Sequence, residues 1–102
     1  MSLKVRLDRL AAVELEDAYQ YYEYQLAGLG YQFKGEVKKG IHWIREHPMA
    51  CPKEKDDVRR HLLHRFPYKI LFSVEKDHIY IIAVAHCHRR PDYWIDRILN
   101  EN

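Results

Sequence analysis

Apolar and polar residues alternate at the start of the chain, with Leu3, Val5 and Leu7 set between Lys4, Arg6 and Asp8. A period of two puts the apolar set on one side of an extended chain, so a half-buried strand is predicted here. The period then lengthens. Ala11, Leu15, Ala18, Tyr22 and Leu26 recur at steps of three and four, which line one face of a helix. Asp8 is placed to cap that helix by accepting from the free amides of its first turn. Glu14, Glu16 and Asp17 fall in its early turns, where the helix dipole favours acids. Gly28-Leu29-Gly30 is expected to end it, because glycine takes the left-handed conformation of a helix terminus without cost. Leu29, Phe33, Val37, Ile41 and Ile44 predict a second helix. That helix stops before Pro48, which biases His47 away from helical backbone. So short a connection makes the two helices an antiparallel hairpin.

The second half changes period again. Met49 to Asp57 reads as a polar connecting loop carrying Pro52, Lys53 and Lys55. Three strands are expected after it. The first runs from about Val58 to Phe66. The second alternates Tyr68, Ile70, Phe72 and Val74 against Lys69, Leu71, Ser73 and Glu75. The third, His78 to His86, is apolar on both faces through Ile79, Ile81, Ile82 and Val84, which assigns it to the sheet centre. Glu75 to His78 turns between the last two as a hairpin without glycine. After Pro91 a short helix is expected from Tyr93 to Leu99, with Trp94 as its core anchor. Helices early and strands late make an α+β fold rather than a doubly wound sheet. The expected architecture is a strand, a helical hairpin, a three-stranded antiparallel segment and a short C-terminal helix, in a single domain over residues 1–102. The hairpin buries its stripe on one sheet face and leaves the other for a function or a partner.

Composition narrows the class. Hydrophobic residues are 47% of the chain and charged residues 31%, a balance of globular and not disordered chains. The net charge of +2 is too small to argue for nucleic-acid binding by itself. The longest apolar run, Ile79 to Ala85, is far short of the roughly 20 residues that a membrane helix needs. The segment after Met1 has no apolar stretch of signal length. Cys51 and Cys87 form no CxxC pair, and two thiols are too few for a disulfide framework. A cytoplasmic protein with reduced thiols and no membrane partner is expected.

Candidate chemistry concentrates late in the chain. Arg59, Arg60, His61, His64, Arg65 and Lys69 lie on the first two late strands, and His86, His88, Arg89 and Arg90 follow the third. Such cations form a face for phosphates or a partner's carboxylates, or they simply keep exposed strand faces soluble. His86 and His88 share a strand face, but no acid or cysteine at a suitable spacing completes a tetrahedral set, so no metal and no cofactor is expected. Acid–base work on a phosphodiester needs a base, an acid and a cation. His86 or His88, Tyr93, and Arg89 or Arg90 supply those types within one short segment. A nucleophile is poorly supported, since Ser73 is mid-strand and Cys87 is expected to pack beside the core. There is no glycine-rich phosphate loop.

Arg65-Phe66-Pro67-Tyr68-Lys69-Ile70, Ile81-Ile82-Ala83-Val84-Ala85-His86, and Arg89-Arg90-Pro91 with Tyr93-Trp94 and Arg97 together resemble the RelE/ParE toxin superfamily. The phenylalanine-proline-tyrosine strand start, and the histidine followed three residues later by arginine, His86 and Arg89, are similar to its ParE-like, plasmid-stabilisation branch. The early helical hairpin, with Ala11, Leu15, Asp17 and Ala18, fits as well. The resemblance implies a growth-inhibiting toxin of a type II toxin–antitoxin system, neutralised by a cognate antitoxin that folds over it. For the ParE-like branch it implies DNA gyrase as the target. For the RelE branch it implies metal-independent cleavage of ribosome-bound mRNA, with His86, Arg89 and Tyr93 as catalytic residues. This chain departs from that catalytic pattern, with Cys87 where an arginine is used and Lys69 at another basic position. Tyr93 matches the RelE tyrosine, and Lys53 and Lys55 stand where basic loop residues occur. A non-toxic binding module is the third reading. Arg59, Arg60, Arg65, Lys69, Arg90 and Arg97 are the residues expected to meet the target or the antitoxin.

Overall fold

The computed structural model describes residues 3–99. The chain begins with strand β1 (Lys4–Leu7), followed by helices α1 (Arg9–Gln25) and α2 (Leu29–Glu46). A short 3-10 turn over Pro48–Ala50 leads to strands β2 (Lys53–Lys55), β3 (Val58–Leu62), β4 (Tyr68–Val74) and β5 (His78–His86), and helix α3 (Ile95–Leu99) closes the order. The strands make one five-stranded sheet in the order β1-β5-β4-β3-β2. All neighbours are antiparallel except β1, which joins β5 in parallel with Val5 opposite Ile79. The helical hairpin carries the chain from β1 at one edge of the sheet to β2 at the other, and three antiparallel connections then bring β5 back beside β1.

The expected α+β order holds, and the sheet is larger than the three late strands. Within the segment read as a polar loop, Lys53–Lys55 pairs with β3. Lys-Glu-Lys gives no apolar alternation, so the strand left no periodic signal. It is held by charge: Glu54 lies 2.7 Å from Lys69 and 3.6 Å from Arg60. Strand β3 is shorter than expected and ends at Leu62, because Arg65 turns the chain with a left-handed backbone (φ 72).

Asp8 caps α1 through a 2.8 Å bond from the Leu10 amide and also accepts from the Tyr80 hydroxyl. The glycines behave differently from the expectation. Helix α1 ends at an extended Leu26, whose side chain is exposed. Gly28 is the left-handed residue (φ 90), and it starts α2 rather than capping α1. Gly30 sits inside α2, where a Cβ would lie 2.6 Å from the Tyr19 carbonyl oxygen. The small residue thus lets the hairpin close. Glu23 secures the same corner, accepting from the Gly28 and Gly30 amides at 2.8 and 2.9 Å.

Both faces of the sheet are covered. On one, Ala11, Ala18, Phe33, Val37 and Ile44 of the hairpin pack on Ile70, Phe72, Ile79, Ile81 and Val84. The other face was expected to stand open. Instead Trp94, 2% exposed, closes over Val58, Leu71, Tyr80, Ile82, Ala83 and Ala85. The register shifts between Leu71 and Phe72, which pair with Ala83 and Ile81. A bulge of this kind puts two residues of one strand opposite one of its partner, and Ile82 and Ala83 both contribute to the Trp94 side. The final helix is shorter than the expected span, because residues 91–94 form a turn around Asp92 (φ 65). Cys51 is buried, whereas Cys87 is exposed at the turn after β5 and does not pack beside the core. Among the described residues, no helix is long and apolar enough to cross a membrane.

Candidate functional site

Where β5 ends, its last residue His86 stands opposite Tyr68 at the start of β4, with the two rings 5.2 Å apart and edge to face. The following turn brings the His88 amide 3.1 Å from His86 Nδ1. A ring nitrogen that accepts this bond leaves Nε2 as the one that carries a proton or meets a ligand. Three residues after His86, Arg89 lays its guanidinium 3.9 Å from the centroid of the Tyr93 ring, a cation–π contact that fixes its direction. Glu14, Asp17, Ala18 and Tyr21 of α1 complete a concavity of about 260 Å³ with Tyr68, Val84, His86 and Arg89.

Behind this concavity is a clip that no spacing rule announced. Glu14 is turned inward between α1 and β5. Its Oε1 accepts from the Val84 amide at 3.0 Å, and its Oε2 accepts from the Tyr93 hydroxyl at 2.6 Å. The Arg97 guanidinium forks onto both carboxylate oxygens at 2.8 and 2.9 Å and also donates to the Ile82 carbonyl at 3.0 Å. The side chains of Arg97 and Glu14 are only 10% and 15% exposed. Burial opposes the charge on Arg97, but the Glu14 carboxylate more than offsets it and raises the pKa. Burial lifts the Tyr93 phenol well above the usual tyrosine range; its bond to Glu14 adds to this, and Arg97 and Arg89 pull the other way. Tyr93 therefore stays protonated and commits its proton to Glu14. Burial likewise raises Tyr68.

Of the three residues proposed for acid–base chemistry, His86 and Arg89 line one concavity, and Tyr93 packs against Arg89 with its hydroxyl bonded to Glu14. The cations expected to form a partner-binding face are dispersed. Arg59 donates to the Cys51 carbonyl at 2.6 Å, Arg60 to the Lys53 carbonyl at 2.6 Å, and Lys69 to Glu54 at 2.7 Å. Arg65 reaches Gln32 on α2 at 2.8 Å. Arg97, expected on that face, is instead turned inward on Glu14. Arg90 is exposed. Lys55 pairs with Asp92 at 2.9 Å and ties the β2 turn to the C-terminal segment, while Lys53 is exposed. His86 and His88 rings lie 5.3 Å apart, and among the described residues no three metal-ligating side chains are grouped to hold an ion.

Residues 5–91 match the model of the family described as the ParE toxin of the type II toxin–antitoxin system parDE. The match takes in helices α1 and α2, strands β2 to β5, all of β1 but its first residue, and the His86–Arg89 turn. The chain belongs to the ParE toxin family. A solved structure of the chromosomal ParDE TA system from P. aeruginosa is similar, with a TM-score of 0.63 and 20% identity. The likeness covers 83% of this chain and 96% of that one, and at that identity it bears on the fold. No curated relative matches the chain. Glu14, Asp17 and Tyr21 are the site residues that sequence reasoning missed. A usable signal existed for Glu14: it stands three residues after Ala11 and four before Ala18, so it borders the buried stripe.

Proposed function

We infer that this ParE-family chain is the toxin subunit of a two-component module, arresting growth by binding DNA gyrase and held inactive by a cognate antitoxin. The family match supports the toxin and its antitoxin. One observation supports action by binding: the Tyr93 hydroxyl is committed to Glu14 at 2.6 Å, so the tyrosine expected to serve as the proton donor beside His86 is not free to do so. A phosphodiester cleavage needs both a base and an acid at the reacting oxygens. A binding surface needs only shape and exposed groups, and the His86–Arg89 concavity supplies them. Inducible expression with separate readouts of DNA supercoiling and mRNA integrity tests this. Loss of supercoiling with intact ribosome-bound message is the expected result. Message cleavage that disappears in His86→Ala would establish the nuclease reading instead, and absence of any growth defect would leave a non-toxic module. His86→Ala and Arg89→Ala are each expected to reduce toxicity at least tenfold while the melting temperature stays within a few degrees.

A further inference from the structure

The cations of the sheet are mostly taken up by their neighbours. Arg59 and Arg60 are bonded to carbonyls, Arg65 to Gln32, and Arg97 to Glu14. Arg89, in the turn after β5, differs. Its guanidinium lies 3.9 Å from the Tyr93 ring centroid, and among the described residues no carboxylate or carbonyl accepts from it. A guanidinium held by a ring face keeps its N–H edge free to donate. The ring itself is fixed. The Tyr93 hydroxyl donates to Glu14 at 2.6 Å, and Arg97 forks onto the same carboxylate. Trp94, the next residue, is buried in the second core. Arg89 is thus seated on a ring that α1 and α3 both anchor.

The rest of the concavity presents donors. His86 Nδ1 accepts from the His88 amide, so a neutral imidazole carries its proton on Nε2 and donates from there. Tyr21 and Tyr68 line the same hollow, and among the described residues neither hydroxyl has a hydrogen-bond partner. Of the two acids, Glu14 has its oxygens filled by Val84, Tyr93 and Arg97. Asp17 is exposed at the rim. The charges of Arg89 and Asp17 therefore cancel, as do those of Arg97 and Glu14. A nucleic-acid strand brings a charge with each phosphate and needs a row of cations to meet it. A single carboxylate needs one guanidinium, which donates two parallel bonds to it. The hollow, of about 260 Å³, has two tyrosine rings in its wall, and these suit the short apolar stem of an acidic side chain.

We propose that the concavity between α1 and the end of β5 is a carboxylate-binding subsite, which takes one acidic side chain of the target protein on the edge of Arg89. His86 Nε2 donates beside it. Tyr93 is a positioning residue that aims Arg89 through its ring, and the Glu14–Arg97 pair holds Tyr93 in place. The C-terminal segment thereby acts on the site without touching the target. This rests on the reading of the chain as a toxin that acts by binding gyrase, and it supplies the chemistry of that contact.

The test measures binding of the purified full chain to gyrase for the wild type, Arg89→Gln, Arg89→Lys, Tyr93→Phe and Tyr93→Leu. Both Arg89 variants should weaken binding at least about tenfold, since a lysine keeps the charge but cannot fork, and their melting temperatures should match the wild type. Tyr93→Phe keeps the ring and should bind within about threefold, whereas Tyr93→Leu should lose at least about tenfold. Both Tyr93 variants lose the bond to Glu14, so a merely structural role would weaken them alike and overturn the positioning. On the wild-type chain alone, sodium acetate and inorganic phosphate are titrated at constant ionic strength while the Arg89 Nε–H signal is followed by nuclear magnetic resonance. Acetate should move that signal to saturation. A signal that follows phosphate and ignores acetate assigns the site to a phosphate group and overturns the proposal. Normal gyrase binding by Arg89→Gln overturns it too and leaves the gyrase reading standing. Loss of antitoxin affinity in Arg89→Gln with gyrase binding retained assigns the carboxylate to the antitoxin, which also overturns it. No wild-type complex with gyrase overturns the reading and the proposal together.

Discussion

Replacing Arg97 by Ala removes the only cation that contacts the Glu14 carboxylate among the described residues, while leaving the Tyr93 hydroxyl and the Val84 amide in place. The two side chains are only 10% and 15% exposed, so water replaces only a small part of the solvation of Glu14. Breaking a buried, hydrogen-bonded ion pair by removing one partner costs about 3 to 5 kcal/mol, because the survivor is left buried without compensation. The same loss between exposed charges is at most about 1 kcal/mol. With this much burial we expect about 3 kcal/mol, a fall in melting midpoint on the order of 15 °C for a domain of this size. Urea unfolding of the wild type, Arg97→Ala, Glu14→Ala and the double variant forms a thermodynamic cycle. The coupling between the two sites should be at least about 1.5 kcal/mol, since the residues contact directly. Glu14→Gln keeps the shape and tests charge alone. A loss below about 1 kcal/mol for Arg97→Ala, with coupling near zero, would falsify the argument that this pair clamps the C-terminal segment to the core.

Three further outcomes are expected. Gly30→Ala should destabilise by about 1 to 3 kcal/mol despite the better helix propensity of alanine, because its Cβ meets the Tyr19 backbone oxygen at 2.6 Å, as thermal unfolding would register. Trp94→Ala should cost about 3 to 5 kcal/mol by emptying the second core, and near-ultraviolet circular dichroism would report loosened packing if the terminal segment detaches. His61 carries a pKa lowered from 6.5 by burial, with His64 adding to it. The unfolded chain then takes up the proton first as pH falls, so the stabilising contribution is complete above about pH 6.5 and is lost on acidification below it. Urea midpoints between pH 7.5 and 5 should show this decline, and His61→Gln should flatten it; carboxylate losses begin lower, since Glu16 and Asp77 are lowered from 4.5 and 3.8.

How much of this molecule could be read from the sequence follows from the range of each interaction. The helical hairpin, β4 and β5 were legible because their apolar period is set by backbone geometry within a few residues, and burial on both sides of Ile79 to Ala85 required an interior strand. The Asp8 cap was legible for the same reason. His86 and Arg89 were found as neighbours because three residues of turn cannot take them far apart. Other features depend on partners that no local period records. Strand β2 exists because Glu54 meets Lys69 and Arg60 from a different strand. Arg97 looked like a surface cation and lies inward because the fold carries Glu14, far away in sequence, to the same buried corner. The dispersal of the basic residues likewise follows from which side of each strand they occupy and which carbonyl lies opposite. Local chemistry determined the elements and the turn that carries the site. Only the tertiary structure decided which charges were consumed inside and which, among the described residues, were left unpaired, because those outcomes depend on groups brought together across the whole chain.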